Sequence, residues 1–131
     1  MHAFFRIVSN NLEFGAQKGQ PPISIPYSQE EIMDGQYKGM AIGVFELDSE
    51  CACFVALDAA AKTADVKIQA VERNRLSAGA CVKMRGSVSD VKAAMEAALE
   101  AARPMANIVS HTVIAAPAAD TETAIEMTIH K

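Results

Sequence analysis

From Met40 onward the apolar residues switch repeatedly between the period of a strand and that of a helix, in an order that few folds accommodate. Met40-Ala-Ile-Gly-Val-Phe-Glu46 is a short, nearly continuous apolar run with a β-branched centre, as expected of a strand covered on both faces. Asp48 and Ser49 then offer N-caps, with Glu50 in the first turn, for a helix to about Ala64. On it Cys53, Leu57, Ala60 and Ala64 recur at helical spacing, while Asp58 and Lys62 form an i,i+4 pair on another face. Val66, Ile68 and Ala70 alternate with Lys67 and Gln69, which predicts a strand from Val66 to Val71. Residues 72–79 have the turn chemistry of a hairpin connection, and Ala80 to Arg85 supplies the return strand. Ser87-Val-Ser-Asp90 matches a capping box for a second helix, whose stripe is Val91, Met95, Ala98 and Ala102 and which Pro104 stops. Asn107 to Ala115 reads as a fourth strand, and the alternation from Ala124 to His130 predicts an added edge strand.

Strand, helix, strand, hairpin, strand, helix, strand is the split βαβ order. It predicts an α+β, ferredoxin-like domain with an antiparallel four-stranded sheet and two helices on one face. The second helix carries Ala93, Ala94, Ala97, Ala98, Ala101 and Ala102, so nearly its whole circumference is small. Close packing between subunits and plain helix propensity explain that equally well.

A chain of 131 residues buries one core and leaves little room for a second domain. Residues 1–39 hold two alanines, three prolines and four glycines, against twenty-two alanines in residues 40–131. The division expected is therefore an N-terminal extension, residues 1–38, and a domain from 39 to 131 with its C-terminal strand. Within the extension Ala3 to Val8 has strand character, Pro21, Pro22 and Pro26 break regular structure, and Ser28 to Met33 suits one helical turn. Twelve basic against sixteen acidic side chains give a net charge of −4, which supplies no overall field for nucleic acid or anionic lipid. No apolar run approaches the roughly 18 residues of a membrane span. The start, Met1 to Arg6, lacks the layout of a secretory signal, which predicts the cytoplasm.

The common catalytic constellations are missing from the sequence. It has no nucleophile elbow, no phosphate-cradling loop and no paired histidines at metal spacing, so neither an enzyme nor a cofactor is predicted. His2 and His130 lie near the ends, and His111 reads as a sheet-face residue. Cys51, Cys53 and Cys81 lack C-x-x-C spacing and read first as reduced thiols. Thiolate character at the helix start would make Cys51 and Cys53, with Cys81, weak candidates for binding iron if symmetry brought copies of the chain together. The hairpin tip with Arg73 and Arg75 is the most suggestive polar feature, either a solvated turn or, in a closed ring, a concentric set of positive charges that selects anions.

Several segments together resemble the bacterial microcompartment (BMC-domain) shell proteins of the single-domain, hexamer-forming type. Gly39 to Glu46 resembles that family's opening strand, which ends in a glutamate. Ala56-Leu-Asp58-Ala-Ala-Ala-Lys62-Thr-Ala-Asp65-Val66 is similar to its A-A-D-A-x-x-K-A-A-N-V stretch, Met84 to Ala94 to its V-R-G-D-V-x-A-V-x-A-A pattern, and Val109 to Ile114 to its S-x-x-V-I segment. The resemblance runs over residues 39 to about 117. It implies a structural role in which the chain forms homohexameric tiles, with itself and other shell proteins as partners and encapsulated enzymes behind them. The location implied is a shell in the bacterial cytoplasm.

In that family the loop between the second and third strands lines a central pore for small metabolites, which places Arg75, Leu76, Ser77 and Ala78 at the pore here. Lys62 matches the lysine at which tiles meet. Relatives have a glycine-rich loop where this chain has Leu76, and an Arg-Pro-His-like segment where it has Ala115-Ala116-Pro117-Ala118. The extension is atypical and is expected to cap the pore or to dock a partner. An oligomeric regulator of the same fold, gripping an anionic effector with Arg73 and Arg75, is the alternative; a small ferredoxin-like enzyme is a third reading with no base or nucleophile to support it.

Overall fold

The computed structural model describes residues 36–75 and 78–129. Its elements run β1 (Ala41–Leu47), α1 (Glu50–Thr63), β2 (Lys67–Arg73), β3 (Ala80–Gly86), α2 (Val88–Ala102), β4 (Ile108–Ile114) and α3 (Ala119–Ile129). The strands form one sheet in the order β2-β3-β1-β4 with every neighbouring pair antiparallel, the split βαβ arrangement expected. The readings of residues 3–8, 21–26 and 28–33 fall outside the described residues.

The helices begin where short polar side chains take up free backbone N–H groups. Ser49 Oγ accepts from Ala52 N at 3.2 Å, and Ser87 Oγ accepts from Asp90 N at 3.1 Å. Ala52, Cys53, Ala56 and Ala60 of α1, with Val91, Ala94, Met95, Ala98, Leu99 and Ala102 of α2, face the sheet side that carries Ala41, Phe45, Leu47, Ala80, Val82 and Met84. The helix faces are built largely of alanine, so the two helices approach the sheet and each other closely with little side-chain entropy lost. Gly39, at φ +80°, makes the turn into β1 in a conformation that a side chain would strain.

Two expectations are corrected. The strict alternation read through Val66, Ile68 and Ala70 breaks at Gln69: Ile68 opposes Met84 but Ala70 opposes Lys83, so Val71 rather than Ala70 joins the helix-side core. This one-residue bulge brings Ala70 onto the opposite face beside Gln69, which meets Arg85 there. The tail is not an edge strand. Ile125 and Ile129, which alternate with polar residues, are also four apart, and with Glu122 they form one half-buried helical face. Asp120 and Glu122 in the first turn favour that helix start, just after Pro117. Glu122 bonds Arg85, which points away from the core side chains Val82 and Met84, so α3 lies on the sheet face opposite α1 and α2.

Asp48, just after β1, ties the turn before β4. Its carboxylate accepts from Asn107 N at 2.9 Å and from Asn107 Nδ2 at 2.8 Å, and these bonds hold its pKa below the ordinary value of 3.8. A carboxyl lowered by folding stabilises the native state above its unfolded pKa and loses that contribution as pH falls through the folded value. Asp48→Asn is therefore expected to be less stable than the parent at pH 7, with the gap closing below pH 3.8. Urea midpoints across that range measure it; a gap that stays constant with pH would remove the ionised carboxylate as the cause.

Candidate functional site

The hairpin loop between β2 and β3 is secured at its base from three directions. Asn74 N donates to Gly79 O at 3.1 Å and closes the loop on itself. Asn74 Nδ2 donates to Glu46 Oε1 at 2.8 Å and to Leu47 O at 3.1 Å, which fixes the loop to the end of β1. Ala78 bridges Ser49, and its carbonyl accepts from Glu50 N at 2.6 Å, so the loop also abuts the first turn of α1. A Cβ on Gly79 would lie 2.4 Å from Leu47 O, so only glycine fits this junction.

Of the four loop residues expected to act, Arg75 and Ala78 are exposed, while Leu76 and Ser77 fall outside the described residues. Arg75 makes no ion pair with any described residue, whereas Arg73 Nε lies 3.4 Å from Glu50 Oε2. The loop thus presents an exposed guanidinium, unpaired among the described residues, on a firmly anchored base. Lys62 stands at the other end of α1, in its last turn, 75% exposed and 2.6 Å from Asp58 Oδ2. The 14 residues of α1 put about 20 Å between loop base and lysine.

The cysteines do not converge. Cys51 is exposed. Cys53 is buried on the core side and donates to Ala80 O at 3.4 Å, while Cys81 alternates onto the opposite face, 4.0 Å from Lys83 Nζ. Burial raises the pKa of Cys53 and of Cys81. Among the described residues no group of three His, Cys, Asp or Glu side chains is placed to hold a metal ion. His111 is exposed on β4 opposite Phe45, and His2 and His130 fall outside the described residues. No helix among the described residues is long and apolar enough to cross a membrane.

The groups that secure this architecture carry little local signal: Asn74 with Glu46, Gly79, Asp48 with Asn107, and two cross-element ion pairs, Lys83 with Glu72 and Arg85 with Glu122. Asn74 and Gly79 do carry a signal, since Asn and Gly together in a tip imply a specific turn. The partners of Arg85 and Lys83 lie 37 and 11 residues away, beyond any local pattern.

A helix-backed antiparallel sheet of this order is the α+β, split βαβ arrangement, here with an anchored loop at one end of its first helix. Residues 41–117 match the BMC domain, more than half of the chain, and the chain belongs to that family. Among solved structures, it is similar to a microcompartments protein from Desulfitobacterium hafniense DCB, with 27% identity and a TM-score of 0.57 over 63% of this chain and 47% of that one. This chain therefore spans about half the length of that protein. A comparison with curated proteins gave no match.

Proposed function

We propose that this protein is a structural component of a bacterial microcompartment shell in the cytoplasm, a homohexameric tile without enzymatic activity of its own. What carries the reading is the BMC domain over residues 41–117, folded as a four-stranded sheet backed by α1 and α2. In the tile, the loop from Arg75 to Ala78 surrounds a central pore for small metabolites, and Lys62 lies at the rim against neighbouring tiles. Their placement at opposite ends of α1 supports a centre and a rim within one subunit. One Arg75 per subunit around the axis biases the pore toward anions. Residues 1–38 serve as a cap over the axis or as a docking segment.

The native mass of the purified chain, measured by light scattering behind a sizing column with negative-stain images of the same peak, tests the tile. A mass near six chains with six-fold rings is expected. A monomer or dimer without sheets overturns it and favours the regulator reading, in which Arg75 grips an anionic effector. Lys62→Ala should leave rings intact while abolishing sheets or filaments at high protein concentration. Its exposed pair with Asp58 contributes little to folding, about 0.5 kcal/mol for an i,i+4 pair, so lost sheets with an unchanged unfolding midpoint would implicate the rim. Unaltered sheets would remove Lys62 from it.

A further inference from the structure

Arg85 is fully buried, yet it lies on the sheet face away from the main core. Each of its three guanidinium nitrogens is partnered. Nε donates to Gln69 Oε1 at 2.7 Å, Nη1 and Nη2 donate to the two oxygens of Glu122 at 2.7 and 2.5 Å, and the ring of Tyr37 lies 5.4 Å away. Gln69 follows the core-facing Ile68 in β2 and so lies on the same face as Arg85, and Tyr37 stands just ahead of β1. These fixtures belong to the sheet and its approach. Glu122 arrives from α3, a helix with no fully buried residue and with Met127 68% exposed.

A guanidinium whose Nε is already held by an amide presents its other edge as a planar fork, the geometry that receives any carboxylate in two parallel hydrogen bonds. A buried cation also has no water to fall back on, so the fork needs an anion. We propose that Arg85, Gln69 and Tyr37 form a carboxylate-binding socket that the chain fills with its own Glu122, and that a small monocarboxylate of the size of acetate takes the place of that side chain when it is absent. In the parent protein Glu122 acts as a tethered ligand, at an effective concentration on the order of millimolar or above, and so holds α3 against the sheet. The ligand class follows from the fork: one carboxylate, on the one-carbon tail that Glu122→Ala removes with it.

Chemical rescue in the full-length chain tests this. With Glu122→Ala the socket is vacant and its cation unpaired; about 0.2 M sodium acetate should raise Tm by about 5 °C more than sodium chloride at the same ionic strength. Glu122→Gln, whose amide fills the space, and the double variant Arg85→Met/Glu122→Ala, which lacks the cation, should show no such difference. If Glu122→Ala is recovered unfolded, return of its native circular dichroism in acetate but not in chloride is the equivalent result. Equal effects of acetate and chloride on Glu122→Ala, or the same acetate effect in the double variant, overturn the socket.

Discussion

Glu122→Ala is expected to cost up to about 3 kcal/mol of stability, the lower end of the range for stranding one member of a buried ion pair. The loss is large against a total of roughly 5–15 kcal/mol for a domain. Arg85 has no exposed surface, whereas Glu122 is 26% exposed, so the two partners are not equivalent. Removing the acid leaves a buried cation with, among the described residues, the Gln69 amide and the Tyr37 ring to compensate it. The protein can limit the damage by releasing α3, which buries no residue completely, and letting water reach the guanidinium. Amide exchange in α3 should therefore accelerate before global unfolding does. Replacing both partners, as Arg85→Met/Glu122→Leu, should restore stability to within about 1 kcal/mol of the parent, because two desolvated charges are exchanged for apolar contact. Urea unfolding at one fixed protein concentration separates these outcomes, since self-association would shift the midpoint. A double variant no better than Glu122→Ala would mean that the charges themselves, and not the covered surface, hold the helix.

Gly79→Ala is expected to cost about 3 kcal/mol, at the top of the usual range for overpacking. Its Cβ would sit 2.4 Å from Leu47 O and 2.5 Å from Asn74 Oδ1. The asparagine can turn aside, but Leu47 O belongs to β1 at the centre of the sheet and cannot retreat without breaking strand pairing. The chain's other recourse is to move the loop. That would separate Asn74 from Glu46 and Leu47, and Ala78 from the start of α1. The substitution should thus lower the thermal midpoint and, in rings, blur the central density that the loop is proposed to frame. A fully stable Gly79→Ala protein with an unchanged centre would show that the loop base is more yielding than its bonds imply.

The contrast between these sites and the core explains what could be read from residues alone. The α2 stripe was legible because burial recurs with the helical period: Val91, Met95, Ala98 and Ala102 are all buried. The end of β2 was misread because a bulge shifts the period by one residue without any mark in composition. The tail was misread because Ile125 and Ile129 satisfy the period of a strand and the i,i+4 spacing of a helix together, so a short segment cannot choose between them. Of the proposed site, Lys62 with its partner Asp58 was visible as a local spacing, but the Asn74 anchor to Glu46 was not.

By itself the sequence determined the order of elements from β1 to β4, the split βαβ fold and the resemblance to BMC-domain proteins. Those follow from local periodicity, caps and short motifs, each written within about fifteen residues. Only the tertiary structure decided which polar groups meet: Glu46 with Asn74, Asp48 with Asn107, Arg85 with Gln69 and Glu122. Such pairs join residues distant in sequence, and a charge on an exposed face and one bound for a buried socket look alike until the sheet brings their partners together.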